Sequence, residues 1–267
     1  MTSLWKNINY SSPIPYVINK YITEYDIKKA NISVLLHEGV IDEATYKMLY
    51  ESDRDYRERY IGLMEKFDSS VYSVLSNGII DFKRRFCEAN ELEDEDILSI
   101  KNDAIFVIAK KCVHKQFDNI IFDDKTVYTL FTKLNNLEVY YNYDMIGNNE
   151  IIDVKGIKDD ILPLHKDYMV SFLCDVFYRL QCSTVEDAIK CCSTFYEEYV
   201  GRKLDIGYYR EFNANSMFRI NTHNSSYMLC NIDQSYINAI DISANLNILR
   251  SLHSILSDIY FDRRRRK

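Results

Sequence analysis

The sequence predicts an α+β fold, a strand-and-helix portion followed by a mainly helical one. Three observations predict it. Short apolar runs with strand character, at Tyr16–Asp26, Ile97–Ile100, Ala104–Ile108, Asn119–Phe122 and Val139–Tyr143, all fall before about residue 155. Between the first two runs, apolar residues recur at helical spacing among charged ones, for example Tyr46, Leu49, Tyr50, Tyr56, Tyr60 and Leu63. After residue 155 the helical spacing takes over, in Leu164–Leu180, Val185–Val200 and Ser243–Tyr260.

Taken in order, residues 1–20 are polar and aromatic and carry Pro13 and Pro15, so they read as an irregular arm entering a strand. Ala30–Glu38 has the length of a short helix, and Gly39 supplies the left-handed conformation that stops one. Asp42–Lys66 is helical. Asp68–Asn90 is expected as one helix or a pair interrupted at Asn77-Gly78, and it ends on Lys83-Arg84-Arg85. The acidic run Glu91–Asp96 is a solvated connection. Ile97–Ile100 and Ala104–Ile108 form a hairpin whose turn is the turn-prone triplet Lys101-Asn102-Asp103.

Composition narrows the function classes. With 47% hydrophobic and 27% charged residues over 267 positions, the chain is globular and can bury a sizeable core. A net charge of −7 excludes a surface that is basic all over, so nucleic acid would need a local basic groove. The 22 tyrosines suit stacking on bases, or else reflect an AT-rich genome. Seven cysteines without a CxxC pair, and no signal-peptide pattern, predict reduced thiols and a cytoplasmic setting. No apolar run approaches the roughly 18 residues of a membrane span. The five histidines have no metal-ligand spacing, and no Gly-rich phosphate loop is present.

Two aspartates stand out. Asp26 ends the first strand-like run, and Asp103 lies in the turn of the later hairpin. Two carboxylates held by neighbouring strand ends can share divalent metal, which takes hard oxygen ligands. Each also has an ordinary role open to it: Asp26 as a helix N-cap, Asp103 as a turn residue.

Around these aspartates the order of motifs resembles the polymerase domain of family B DNA polymerases, the group that includes viral and phage replicases. Asp26-Ile27-Lys28-Lys29-Ala30-Asn31-Ile32-Ser33-Val34-Leu35 resembles the first palm motif in its aspartate, serine and apolar pair. Lys101-Asn102-Asp103-Ala104-Ile105-Phe106-Val107 resembles the Asp-Thr-Asp motif in its second aspartate and the strand after it. Tyr140-Tyr141 and Lys155-Gly156-Ile157 stand in the places of the later palm elements.

The resemblance implies a palm-like α+β domain over residues 1–155, with a reduced fingers insertion at about 42–95. A helical thumb-like domain would follow over 156–267, with the basic tail Arg263–Lys267. It implies a nucleotidyltransferase with Asp26 and Asp103 as catalytic, metal-binding residues and Mg²⁺ or Mn²⁺ as cofactor. Nucleic acid and nucleoside triphosphates would bind through Asn31, Lys83, Arg84, Arg85, Lys101, Tyr140 and Lys155. Other replication or transcription proteins are further partners, and the host-cell interior is the setting if the source is a virus or phage.

The sequence also departs from the family. Asn31 replaces the aromatic residue that selects the sugar, Lys101 replaces the first aspartate of Asp-Thr-Asp, and the fingers motif is only sketched by Lys83 and Asn90. No room remains for a proofreading exonuclease. Lys101 therefore favours the alternative of a palm-derived protein that has lost catalysis and binds nucleic acid or a polymerase. An unrelated α+β interaction protein is the third reading.

Overall fold

The computed structural model describes residues 2–158, 161–212, 219–221, 226–228 and 234–265. They are mixed helix and antiparallel sheet, the α+β class expected. The chain divides into two compact units, residues 1–13 with 21–127, and residues 14–20 with 128–267. The expected boundary lies near residue 155. Residues 128–155 group instead with the helical portion, because they bury their apolar faces among its helices.

In the first unit the short strand β1 (Asn9–Ser11) pairs with β3 (Ile97–Lys101), β3 with β4 (Ala104–Ile108), and β4 with β2 (Tyr16–Ile27). All three pairings are antiparallel. β5 (Gln116–Phe117) pairs with the start of β6 (Ile120–Leu134), and β6 neighbours β2. The β3–β4 turn forms as expected, with Asn102 in the left-handed region at φ 54°.

Four helices lie between β2 and β3: α1 (Ala30–His37), α2 (Glu43–Glu51), α3 (Arg54–Phe67) and α4 (Ser70–Ala89). Asp42 and Asp53 cap α2 and α3, accepting from the backbone N–H groups of Thr45 and Tyr56. Gly39 ends α1 at φ +68°, where a side chain would be strained.

Of the two forms open to Asp68–Asn90, the single helix is the one present, and α4 runs through Asn77-Gly78 unbroken. Gly78 serves packing instead. A Cβ there would stand 2.4 Å from Cγ1 of Val34, so its absence lets α4 close on α1. The core of this unit joins Val71, Leu75, Phe82 and Phe86 of α4 to Tyr25, Ile100, Ile105 and Phe122 of the sheet. Phe86 stacks on Phe122 at 4.3 Å between ring centroids.

The second unit contains the rest of β2 and β6, then β7 (Leu137–Asp144) and β8 (Asn149–Lys155) in an antiparallel meander. Helices α5 (Ser171–Cys182), α6 (Val185–Val200) and α7 (Ser243–Arg265) follow, with a small ladder of β9 (Arg219–Asn221) and β10 (Ser226–Met228) between α6 and α7. Leu173, Val176 and Phe177 of α5, and Leu249, Leu252 and Leu256 of α7, share one core with Leu130, Val139 and Tyr141 of the strands. Of the basic tail, Arg266 and Lys267 lie outside the described residues.

Candidate functional site

The backbone brings Asp26 and Asp103 together within the first unit. Asp26 is the penultimate residue of β2 and stands opposite Ala104 in the β2–β4 register, so the turn residue Asp103 follows the same strand end. Asp26 caps no helix here. The residue before α1 is Lys29, in the left-handed region, and α1 has no side-chain cap.

The two carboxyl groups interact directly. Burial pushes the Asp103 carboxyl up to about 6, the Asp26 charge and a hydrogen bond with Asp26 push the same way, and the Lys125 ammonium opposes them. Two carboxyls sharing one site resist double ionisation unless a cation compensates.

Two groups that the sequence reading missed complete this corner. Lys125, on β6, pairs with Asp26 at 3.2 Å and with Glu24 at 3.3 Å. Burial works against the Lys125 charge, but Asp26 and Glu24 outweigh it and raise its pKa. Glu24 is buried at 2% exposure and precedes Asp26 by two positions, on the same face of β2. That alternation was the available signal for Glu24. Lys125 carried none, because it sits in the polar run Asp123-Asp124-Lys125 that the sequence presents as a loop.

Lys83 is corrected. It was expected to face an incoming triphosphate, yet its side chain is fully buried. Its ammonium donates to the carbonyls of Asn7 at 2.7 Å and Asn102 at 3.0 Å. Burial draws its pKa down to about 8, against the nearby Asp103 charge that favours the ammonium. Lys83 thus acts from behind the turn that carries Asp103.

The neighbouring arginines are engaged with protein groups. Arg84 bridges Asp81 at 2.6 Å and Glu88 at 2.8 Å on its own helix. Arg85 pairs with Asp118 at 2.9 Å and lies over the rings of Phe82 and Phe117. Asn31 is exposed in the first turn of α1, and Lys101 ends β3 opposite Asn9 on one side and Ala104 on the other.

Tyr140 and Lys155 belong to the second unit. Tyr140 is fully buried on β7, its hydroxyl donating to Glu138 at 3.0 Å and its ring set against Tyr128 and Phe131. Nucleic acid has no access to it, which overturns its expected binding role. Lys155 pairs with Asp153 at 2.7 Å and stands opposite Glu138 in register.

Among the described residues, no group of three or more His, Cys, Asp or Glu side chains is placed to hold a metal ion, and no helix is long and apolar enough to cross a membrane. The six described cysteines are free. No curated protein matches the chain. The family profile described as bacteriophage PBS1 gene 130 protein matches residues 1–257. The chain belongs to that phage family.

Proposed function

We propose that the protein is a nucleotidyltransferase of the polymerase palm type, adding nucleotides to a 3′-hydroxyl. The observation that carries this reading is the convergence of Asp26 and Asp103, one from a strand end and one from the turn of a hairpin in the same sheet. Topology supports it. The helices α1–α4 connect β2 to the β3–β4 hairpin, β4 returns beside β2, and β6 flanks β2 on its other side. This is the strand order of a split βαβ, with the β5 hairpin in place of a second helix.

Asp26 and Asp103 would hold Mg²⁺ or Mn²⁺, whose charge would offset the triphosphate and favour the ionised 3′-oxygen. Their mutual repulsion fits a cation, since a charge between two crowded carboxyls relieves the effect that raises Asp103. Lys125 orients Asp26, and Lys83 steadies the turn behind Asp103. Nucleic acid and nucleoside triphosphates are the proposed partners, and the interior of the phage-infected cell is the proposed setting.

A second reading has its own support. The Lys125 ammonium already sits on Asp26 and Glu24, as a fixed positive charge would in a palm that has given up its metal. That protein would bind nucleic acid, or a polymerase, without catalysis.

One assay separates the two. The full chain is incubated with labelled dNTPs or NTPs, a primer–template and Mg²⁺ or Mn²⁺, beside Asp26→Asn and Asp103→Asn. Incorporation by the parent and loss of at least about a hundredfold in both variants is expected for shared metal chemistry. No incorporation by the parent, or equal incorporation by all three, rejects the enzyme and leaves the binding reading.

A further inference from the structure

A second feature of the first unit lies outside the aspartate pair. A cavity of about 460 Å³ opens among α1, α2 and the start of β6, within the size range of small-molecule sites. One wall is α2, where Tyr46 and Tyr50 stand one turn apart with ring centroids 5.7 Å from each other. Tyr50 is held from behind, because the Lys29 ammonium lies 3.5 Å from its ring centroid and donates to its carbonyl.

Two cations line the cavity itself. Lys47 projects from α2 between the tyrosines in sequence, is exposed, and makes no ion pair among the described residues. Lys28, on the opposite side, has Asp123 as a distant partner at 3.9 Å, with both side chains nearly half exposed. Exposed pairs at such a distance contribute little, so Lys28 stays available to a stronger anion. Glu51 adds a carboxylate acceptor at the rim.

Solvated lysines beside half-buried tyrosines are common, but here they converge on one concave, partly apolar volume. A ligand that satisfies all of these groups has a planar ring, an anionic end and donor groups between. We propose that this cavity binds a nucleotide, with the base against Tyr46 and Tyr50, the phosphate between Lys28 and Lys47, and Glu51 accepting from a hydroxyl or amino group. The choice of a nucleotide over another aromatic anion rests on the nucleotidyl-transfer reading. The geometry of the pocket does not.

The test is binding in excess EDTA, so that the aspartate pair is not engaged through metal. ATP and a single-stranded dT₁₂ are titrated separately into the full chain and into Tyr46→Leu and Lys47→Glu, by calorimetry. Expected is a loss of about tenfold or more in affinity for Tyr46→Leu and for Lys47→Glu. Binding of ATP identifies a free nucleotide as the occupant, and binding of dT₁₂ alone identifies a nucleotide within a strand.

Failure to bind either ligand, or binding that Tyr46→Leu and Lys47→Glu leave intact, overturns the proposal. Because Lys47 is exposed, loss in that variant is not a folding effect. A chain that binds ATP in this way yet incorporates no nucleotide would reject the catalytic reading and leave the pocket standing.

Discussion

The ammonium of Lys83, buried in α4, donates to the backbone carbonyl of Asn102, the residue immediately before Asp103. The same ammonium donates to Asn7, so one buried charge ties the N-terminal arm, the central helix and the β3–β4 turn together. A lysine in such a place is stable only because its donors are met by carbonyl oxygens. Lys83→Met keeps the aliphatic stem and removes the donors. It is expected to cost about 1–3 kcal/mol of stability, read by urea unfolding, and to loosen the turn. Amide exchange at Asp103 and Ala104 should quicken in that variant. Unchanged exchange there would show that the turn is held by its own geometry.

The raised Asp103 pKa sets a stability trend with a definite sign. Between its ordinary carboxylate value and about 6, the folded state binds the proton and the unfolded state has released it. Stability therefore falls as pH rises through that window, the reverse of a salt-bridged aspartate. Asp103→Asn removes the titration, so the difference in stability between variant and parent should grow in the variant's favour as pH rises from the ordinary carboxylate value to about 6. A parallel pH dependence in the two proteins would mean that Asp103 ionises freely. Adding Mn²⁺ at neutral pH should stabilise the parent more than the variant if the carboxyl pair takes the cation.

Much of the first unit could be read from residue order. The Asn102 turn and the stop at Gly39 are local devices, each working through a few adjacent residues, whereas Asp42–Lys66, read as one helical stretch, is two helices because Asp53 caps a second start. That Asp26 and Asp103 share a corner was also legible, because a strand end and the turn of a neighbouring hairpin meet at one edge of an antiparallel sheet. The length of β6 was not legible. Its Asp123-Asp124-Lys125 segment is exposed and charged, and what keeps it extended is pairing with distant strands. The burial of Lys83 escaped for a related reason. Nothing near it in sequence discloses that the carbonyls of Asn7 and Asn102 will meet its ammonium. Tyr140 failed similarly, since a tyrosine with a stacking surface reads the same whether water or Glu138 receives its hydroxyl.

Gly78 offers a cleaner test of packing. Gly78→Ala gains about 1 kcal/mol of helix propensity but places a Cβ 2.4 Å from Val34 Cγ1, inside a core where overpacking costs about 1–3 kcal/mol. The clash should win, giving a net loss. Adding Val34→Ala removes the offending methyl groups, so the double variant should be more stable than the sum of the single changes implies. Strict additivity would show that α1 and α4 adjust freely around this contact.

In the second unit, His165 carries the opposite acid response. It is 3% exposed, its Nδ1 has no hydrogen-bond partner, and its ring meets Phe212 edge-on at 5.2 Å. Burial pulls its pKa down to about 4, and the Arg210 charge pulls the same way. Between about 4 and its ordinary value the unfolded chain binds the proton and the folded unit does not, so the stability this supplies is present above the upper value and lost as pH falls toward the lower. The full loss is on the order of 3 kcal/mol. Hydrogen exchange followed from pH 7 to pH 4, and corrected for intrinsic rates, should show α5 and its neighbours losing protection while Asp103 alone would make the first unit gain it. His165→Phe should abolish the acid-induced loss in the second unit and leave the first unchanged. If α5 still loses protection at pH 4 in that variant, protonation of His165 is not what opens this core.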